Sequence, residues 1–597
     1  MLLNTGIFSV IAHCRRAKVN CNFTKFAAYQ TQVDKRSYSD LAYFHQTGKE
    51  PLQYSTFGAL IQEAAAKYGD RTALISCYEN KRYTFAEVIH EAGKLAVKLQ
   101  GLGMQRQDVV GLWITNSTQW YISYLAAQLG GYITACINPA LQAQELDYAL
   151  KKAKVHTLIT TEQCGKQNFY KILKSLLPTA GAAVPHAIDT TQFPHLRHVI
   201  IAGKSSSGEF TNWAELLCEP SSTEVKLIDE LNENVRNIKP ENASSIQFTS
   251  GTTGKPKLAV LSNFSFLNQG YYFGRALKLH NGHKHICMTL PMFHVFGLSV
   301  VNAAVKHGAT LVLPSPTFDS KAALESIANE GCHLILGTPT MYVGMLEEQM
   351  VSKHATNTLE LGIVGGAACS PEIYAQTKKI FNLKEFLVGY GMSEACAAFF
   401  TQEGTESVEE ASQTIGRLYD HVEAKVINDK GEVVKFGELG ELCVRGYVVM
   451  TEYQDDADKT KETLDKHGWL KTGDKCILQS DGVARIAGRN KDMIIRGGEN
   501  IFPKEIEDFL DTHEDIIESQ VVGVPDKRMG EEICAYIRLR SGANKLTQED
   551  VKKFCQGKIA HFKVPRYVRC VEEYPKTTSG KIKKYELQEW FQKESES

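Results

Sequence analysis

Apolar positions recur along the chain at two periods that alternate. Leu60, Ile61, Ala64 and Ala65 share one face of a 3.6-residue repeat behind Thr56, a helix-capping residue type, so the pattern predicts a helix that ends near Gly69. Thr72-Ala73-Leu74-Ile75 then reads as a strand. Similar β-branched runs recur at 109–114, 155–159, 198–201 and 310–313, with helix-period stretches between them. Strands that alternate with helices imply parallel sheets in α/β layers. Residues 203–245, rich in Ser, Glu and Asn, read as surface connections. Between 416 and 490 the pattern shifts to short strands with turns, at 423–427, 437–446 and 482–486, which predicts a β-rich subdomain. Beyond Arg489, a helix over 503–511, strands over 520–524 and 533–539 and a helix from Thr547 describe a small α+β unit starting near Lys491. The expected fold class is therefore α/β: a large N-terminal domain over 46–490, of layered α/β subdomains plus the β-rich one, and a small C-terminal domain over 491–597.

Composition narrows the partners. A chain of 597 residues with 43% hydrophobic residues can bury large cores. Its net charge of −1 gives no basic field for nucleic acid. The 15 cysteines are odd in number, contain no Cys-x-x-Cys pair and show no zinc-ligand spacing with histidine, so reduced thiols are expected rather than disulfides or a metal cluster. No apolar run approaches the roughly 20 residues that span a bilayer, which leaves peripheral membrane contact. Composition says nothing of oligomeric state. Residues 1–33 lack any acidic residue, and Arg15, Arg16, Lys18 and Lys25 follow the apolar Leu2, Leu3, Ile7, Phe8, Val10 and Ile11. This composition matches a mitochondrial transit peptide, giving residues 1–45 as leader and linker and the matrix as destination; a biased tail would read the same way.

The most informative loop is Thr249-Ser250-Gly251-Thr252-Thr253-Gly254-Lys255-Pro256-Lys257, placed directly after the β-prone Ser245-Ile246-Gln247-Phe248. Gly251 and Gly254 let backbone N–H groups approach phosphate oxygens, the hydroxyls add donors, and Lys255 and Lys257 add charge. Only two residues separate the glycines and Pro256 follows the lysine, so the loop departs from the kinase and GTPase P-loop pattern. By itself it could also be a polar surface turn.

Five further segments follow in order: Gly365-Gly366-Ala367, Tyr390-Gly391-Met392-Ser393-Glu394, Thr472-Gly473-Asp474, Gly488-Arg489-Asn490-Lys491-Asp492 and Pro575-Lys576-Thr577-Thr578-Ser579-Gly580-Lys581. This set resembles the adenylate-forming superfamily, which includes acyl-CoA synthetases, peptide-synthetase adenylation domains and firefly luciferase, over about residues 50–590. The run from Ile494 through Gly498-Glu499-Asn500-Ile501-Phe502-Pro503, and Val521-Val522-Gly523-Val524-Pro525-Asp526, resemble the mitochondrial medium-chain acyl-CoA synthetase branch.

The resemblance implies an enzyme that uses ATP, magnesium and CoA. A fatty acid would be converted to an acyl-adenylate with release of pyrophosphate, and the acyl group then passed to CoA, leaving AMP. It implies that 249–257 hold the β- and γ-phosphates, that Glu394 binds magnesium beside the Ser393 hydroxyl, and that Asp474 takes the ribose hydroxyls. Gly365, Gly366 and Ala367 would admit the adenine, Tyr390 would stack on it, and Arg489 would reach ribose or phosphate. Lys491 becomes the hinge of a mobile C-terminal domain, and Lys581 the catalytic cation of the first step. His294 would stand near the mouth of an acyl tunnel formed by 291–298 and 337–341, stretches that core packing would also explain. Two departures stand out: Leu258 where the family usually has glycine, and Ser393 where it usually has threonine. A different carboxylate or acceptor, or a catalytically silent nucleotide- or lipid-binding relative, fits the same motifs.

Overall fold

Strands buried on both faces dictate the centre of this molecule. Val109–Trp113 is buried at every position, and Thr118–Gly130 is buried over nearly its whole length, capped by the Ser117 side chain at its start and by left-handed Gly131 at its end. Such elements can exist only inside a layered structure. In the computed structural model all residues are described except 1–39, 178–187, 189–191, 204–209, 219–225, 229, 232–234, 250–255, 490–491, 497–498, 527, 544, 557, 560, 578–579 and 597. The leader and the Lys491 hinge expected from sequence thus lie outside the described residues, apart from 40–45. Ala42–Ser597 form one compact unit.

Within that unit, one sheet runs in the order Thr211–Asn212, His198–Ala202, Val155–Thr161, Val109–Trp113, Ile133–Cys136, Ala243–Thr249, Lys257–Ser262 and Glu452–Tyr453. The first six strands are parallel and the last two antiparallel. A second sheet of nine strands has a parallel centre from Glu385–Met392 through Leu361–Gly365, Leu334–Gly337, His285–Cys287 and Thr310–Leu313 to Thr72–Ser76. Antiparallel strands close both of its edges. The expected parallel layers are present. The helix expected behind Thr56 is Phe57–Tyr68, with the Thr56 side chain accepting from the Ala59 amide and Gly69 at the far end.

The third sheet, five antiparallel strands, is the β-rich region, and it recruits Tyr43–Gln46 as an edge strand beside Val422–Ile427. The sequence Tyr43-Phe44-His45-Gln46 carries no clear alternation, so its strand character comes from the partner: the Tyr43 hydroxyl donates to Glu423 at 2.7 Å. The fourth sheet joins Ile494–Arg496, Glu499–Ile501, Ile516–Asp526, Gly530–Leu539 and Tyr567–Cys570, with helices Pro503–Leu510, Gln548–Cys555 and Lys584–Glu596. It carries its own two apolar cores, separate from those of the large sheets. Within the stretch read as surface connections, Thr211–Asn212 adds a sheet edge and Trp213 is buried.

One turn sets the positions of Tyr390, Ser393 and Glu394. Strand Glu385–Met392 bulges between Tyr390 and Gly391, then reverses through Ser393–Ala395 into Ala397–Thr401. Cys396 and Ala397 take positive φ values of 51° and 75°, and a Cβ at Gly391 would lie 1.6 Å from the Ala397 carbonyl oxygen. Only glycine fits there. Gly391→Ala is expected to destabilise the fold by about 3–5 kcal/mol, checked as a lowered thermal midpoint against the parent protein.

Candidate active site

The sequence motifs gather at the carboxyl ends of the parallel strands. Gly365 ends Leu361–Gly365, and a Cβ there would meet the Gly389 carbonyl oxygen at 2.9 Å and the Phe296 ring at 3.3 Å. Gly366 follows with φ 81° and is exposed, as is Ala367, so this strand end offers a flat, side-chain-free edge. On the neighbouring strand, Tyr390 meets Phe399 edge-on at 5.4 Å. Its hydroxyl donates to Asp474 Oδ2 at 2.6 Å, a contact the sequence did not foretell. Burial, and next the Asp474 charge, push the Tyr390 phenol well above its ordinary range, so it stays a donor.

Asp474 is 5% exposed and sits on Leu470–Leu478 directly opposite Arg489 on Ala484–Arg489. Left-handed Gly473 (φ 74°) and the Thr472 hydroxyl, which accepts from the Asp474 amide at 3.2 Å, fix the turn before it. Arg489 Nε lies 3.1 Å from Asp474 Oδ1, yet out of line for a hydrogen bond, so that buried oxygen has an ion-pair contact and no donor. A buried carboxylate oxygen without a donor is open to one from water or a ligand.

Glu394 lies in the turn Ser393–Ala395, 7% exposed, with half-buried Ser393 beside it. Its Oε1 accepts from the Tyr453 hydroxyl at 2.7 Å, and Tyr453 in turn accepts from Lys257 Nζ at 2.8 Å. The lysine also stands 4.1 Å from the Tyr453 ring centroid. Burial pulls the Lys257 ammonium below its usual value, with the Glu394 charge opposing that shift. Tyr453 was not legible in the sequence, because strand Glu452–Tyr453 is two residues long and its role arises only from pairing beside Lys257–Ser262.

Of the expected phosphate loop only the two ends are described. Thr249 and Lys257 are paired residues of an antiparallel hairpin, the Thr249 hydroxyl is buried without a hydrogen-bond partner, and the Pro256 carbonyl accepts from Tyr148 at 3.1 Å. Ser250, Gly251, Thr252, Thr253, Gly254 and Lys255 lie outside the described residues. Leu258, the departure from the family pattern, is an ordinary strand residue opposite Phe248, buried at 1% exposure in the core.

His294 caps helix Val295–His307, its Nδ1 accepting from the Phe296 amide at 3.3 Å. Burial, and then the positive charge of nearby Lys581, push its pKa down to about 4, so the ring is neutral at pH 7. Lys581 reaches this place on a tight turn in which its amide donates to the Thr577 hydroxyl at 3.1 Å. Left-handed Gly580 (φ 82°) before it accepts, through its carbonyl, from the Thr340 hydroxyl at 3.0 Å. A Cβ on Gly580 would sit 2.9 Å from Thr338 Oγ1, a buried hydroxyl that has no hydrogen-bond partner. Lys581 thus stands at the head of the large domain's second sheet. Every described cysteine is a free thiol.

Buried oxygens without hydrogen-bond partners on Thr249, Thr338 and Asp474, the glycine edge and Lys581 make up the candidate site of this α/β protein. The chain belongs to the AMP-binding enzyme family: that family's model matches residues 61–454, and the model of the AMP-binding enzyme C-terminal domain matches 505–581. A relative from Danio rerio, named medium-chain acyl-CoA ligase ACSF2, mitochondrial, is 39% identical over 93% of this chain and 91% of its own. The Homo sapiens protein of the same name is 38% identical over 93% and 90%. A putative acyl-CoA synthetase, YngI, from Bacillus subtilis is 35% identical over 90% and 97%. Among solved structures, the anthranilate CoA ligase AuaEII in complex with anthranoyl-AMP superposes with a TM-score of 0.78 at 23% identity, covering 92% of this chain and 99% of that one. That likeness bears out the fold: a large α/β domain with a β-rich part and a small C-terminal domain.

Proposed function

We propose that the protein is an AMP-forming acyl-CoA ligase acting on a fatty acid of medium chain length, and that residues 46–490 and 491–597 work as two bodies around one site. The observation that carries this reading is Lys581 beside His294, delivered by a turn anchored on Thr340. A carboxylate oxygen attacks the α-phosphorus of ATP, and the bond to pyrophosphate breaks. Two anions must approach, so cations and donors placed where charge develops lower the barrier. Lys581 supplies charge at the carboxylate and α-phosphate. The loop from Thr249 to Lys257 takes the β- and γ-phosphates. The open Asp474 oxygen accepts a ribose hydroxyl, Arg489 reaches the ribose or α-phosphate, and the edge from Gly365 to Ala367 with Tyr390 borders the adenine.

Glu394, its Oε1 held by Tyr453, would hold a magnesium ion together with substrate phosphates rather than in a protein cage, since no group of three potential metal-ligating side chains exists among the described residues. When bound, that ion would neutralise phosphate charge, and Tyr453 holds the carboxylate in place for it. In the second step a CoA thiol, losing its proton, attacks the acyl carbonyl and AMP leaves. His294, neutral and pinned as a helix cap, closes the carboxylate end of the acyl pocket. The relatives' names and the acid-free leader support a mitochondrial matrix location. No helix among the described residues is long and apolar enough to cross a membrane.

A series of straight-chain carboxylates, scored by AMP release with and without CoA, tests the assignment. CoA-dependent AMP release with an optimum at medium length is expected; no AMP with any carboxylate would overturn it.

A further inference from the structure

The contact that places Lys581 is small. Between the C-terminal sheet and the large domain, the Thr340 hydroxyl to Gly580 carbonyl bond sits at the catalytic turn itself. Two arginines reach across farther out. Arg540, just past strand Gly530–Leu539, pairs with Glu372 in the first turn of helix Pro371–Ile380. Arg538, on that strand, stands 3.8 Å from Glu347 on helix Pro339–Ser352 and 4.0 Å from Glu518 of its own sheet.

These are two different kinds of pair. Arg540 also donates to the Glu514 carbonyl at 2.7 Å, which aims its guanidinium outward, and its partner Glu372 borders a cleft shared with Gln376, Gln413, Asp511 and His513. Both side chains are about one-third exposed, at 34% and 31%, so water can replace either partner. Arg538 is held loosely: its Nε and Nη2 atoms are buried and lack hydrogen-bond partners, and it is shared between one carboxylate in each domain. The helices that carry Glu347 and Glu372 start near the site, the first at Thr338 and Pro339 beside Gly580, the second at Ser370 after the glycine edge. Arg538 therefore acts on the helix that receives the lysine turn, and Arg540 on the helix that follows the glycine edge.

We propose that Glu347 and Glu372 are positioning residues for the first half-reaction: through Arg538 and Arg540 they hold the C-terminal domain in the pose that inserts Lys581, and they do so weakly enough to release it before CoA enters. This rests on the two-step ligase reading. Under that reading the domain leaves this pose in every turnover, so strong clamps would arrest the cycle. A partly exposed ion pair contributes little, roughly a 2- to 5-fold bias each, which suits a catch that must open.

The experiment compares the parent protein with the Glu347→Gln/Glu372→Gln double variant in two assays: carboxylate-dependent exchange of pyrophosphate into ATP, and thioester formation from pre-made acyl-adenylate and CoA. Exchange is expected to fall roughly 4- to 25-fold in the variant, while thioester formation is unchanged or faster. The charge-swapped Glu372→Arg/Arg540→Glu protein should recover exchange relative to Glu372→Arg alone, which separates a pairing role from local damage. Exchange at the parent rate, an equal fall in both assays, or no recovery on swapping would each overturn the proposal. If the parent itself shows no exchange, the ligase reading falls instead.

Discussion

Lys581→Ala is expected to lose adenylate formation by about 10²–10³-fold while keeping most of its ability to make thioester from pre-made acyl-adenylate. The size comes from the part the side chain plays in the proposed first step: it is a preorganised cation where two anions meet, and removing one such donor from a water-poor site forfeits stabilisation that solvent cannot replace. The Lys581 charge also adds to burial in holding the neighbouring His294 down to about 4. Removing it should let the His294 pKa rise toward its ordinary value. The sign is definite: a histidine depressed in the folded state binds fewer protons than in the unfolded state between about pH 4 and its ordinary value, so it contributes a loss of stability as pH falls through that window. Pyrophosphate exchange and thioester formation measured on the same preparation decide the matter. Exchange at the parent rate would remove Lys581 from the chemistry; an equal fall in both assays would make it a binding residue.

How far the sequence foretold this site depended on the kind of signal. Buried parallel strands such as Val109–Trp113 announce themselves, since both faces are apolar and no tertiary information is needed. Glycine-bearing motifs were legible for a related reason. Gly391 and Gly473 mark backbone conformations or close approaches that other residues cannot take, and such demands leave a mark on local sequence. Tyr43–Gln46 and Tyr453 left no mark, because each becomes part of the structure only by pairing with a distant strand. The Tyr390 to Asp474 hydrogen bond spans 84 positions, and no spacing rule reaches across two sheets. Sequence reading gave Tyr390 a stacking role beside adenine, and the structure adds the hydroxyl that orients the neighbouring carboxylate. The Leu258 departure reads differently once placed: it disturbs nothing at the strand after the loop, since it faces a core that takes a leucine.

Asp474→Asn is expected to weaken nucleotide binding about 10- to 100-fold, with a smaller effect on turnover at saturating ATP. The carboxylate serves two partners at once. Tyr390 fixes Oδ2 and Arg489 lies beside Oδ1 without donating to it, so the oxygen is held in place, charged and short of a donor. In the proposed reading a ribose hydroxyl satisfies that deficit, and a hydrogen bond to a charged acceptor contributes about 1.5–3 kcal/mol. Asparagine keeps the shape but halves the acceptor capacity, and it turns Arg489, whose side chain is 36% exposed, into a cation without its counter-ion. Because ribose contacts do not change as the α-phosphorus reacts, the loss falls on ground state and transition state alike. Isothermal titration with ATP reads the affinity, and the split between KM and kcat reads the step. A fall in kcat with unchanged ATP affinity would place Asp474 in the chemistry rather than in the grip on the sugar. Unchanged affinity and unchanged kcat together would mean that the open oxygen faces no ligand at all.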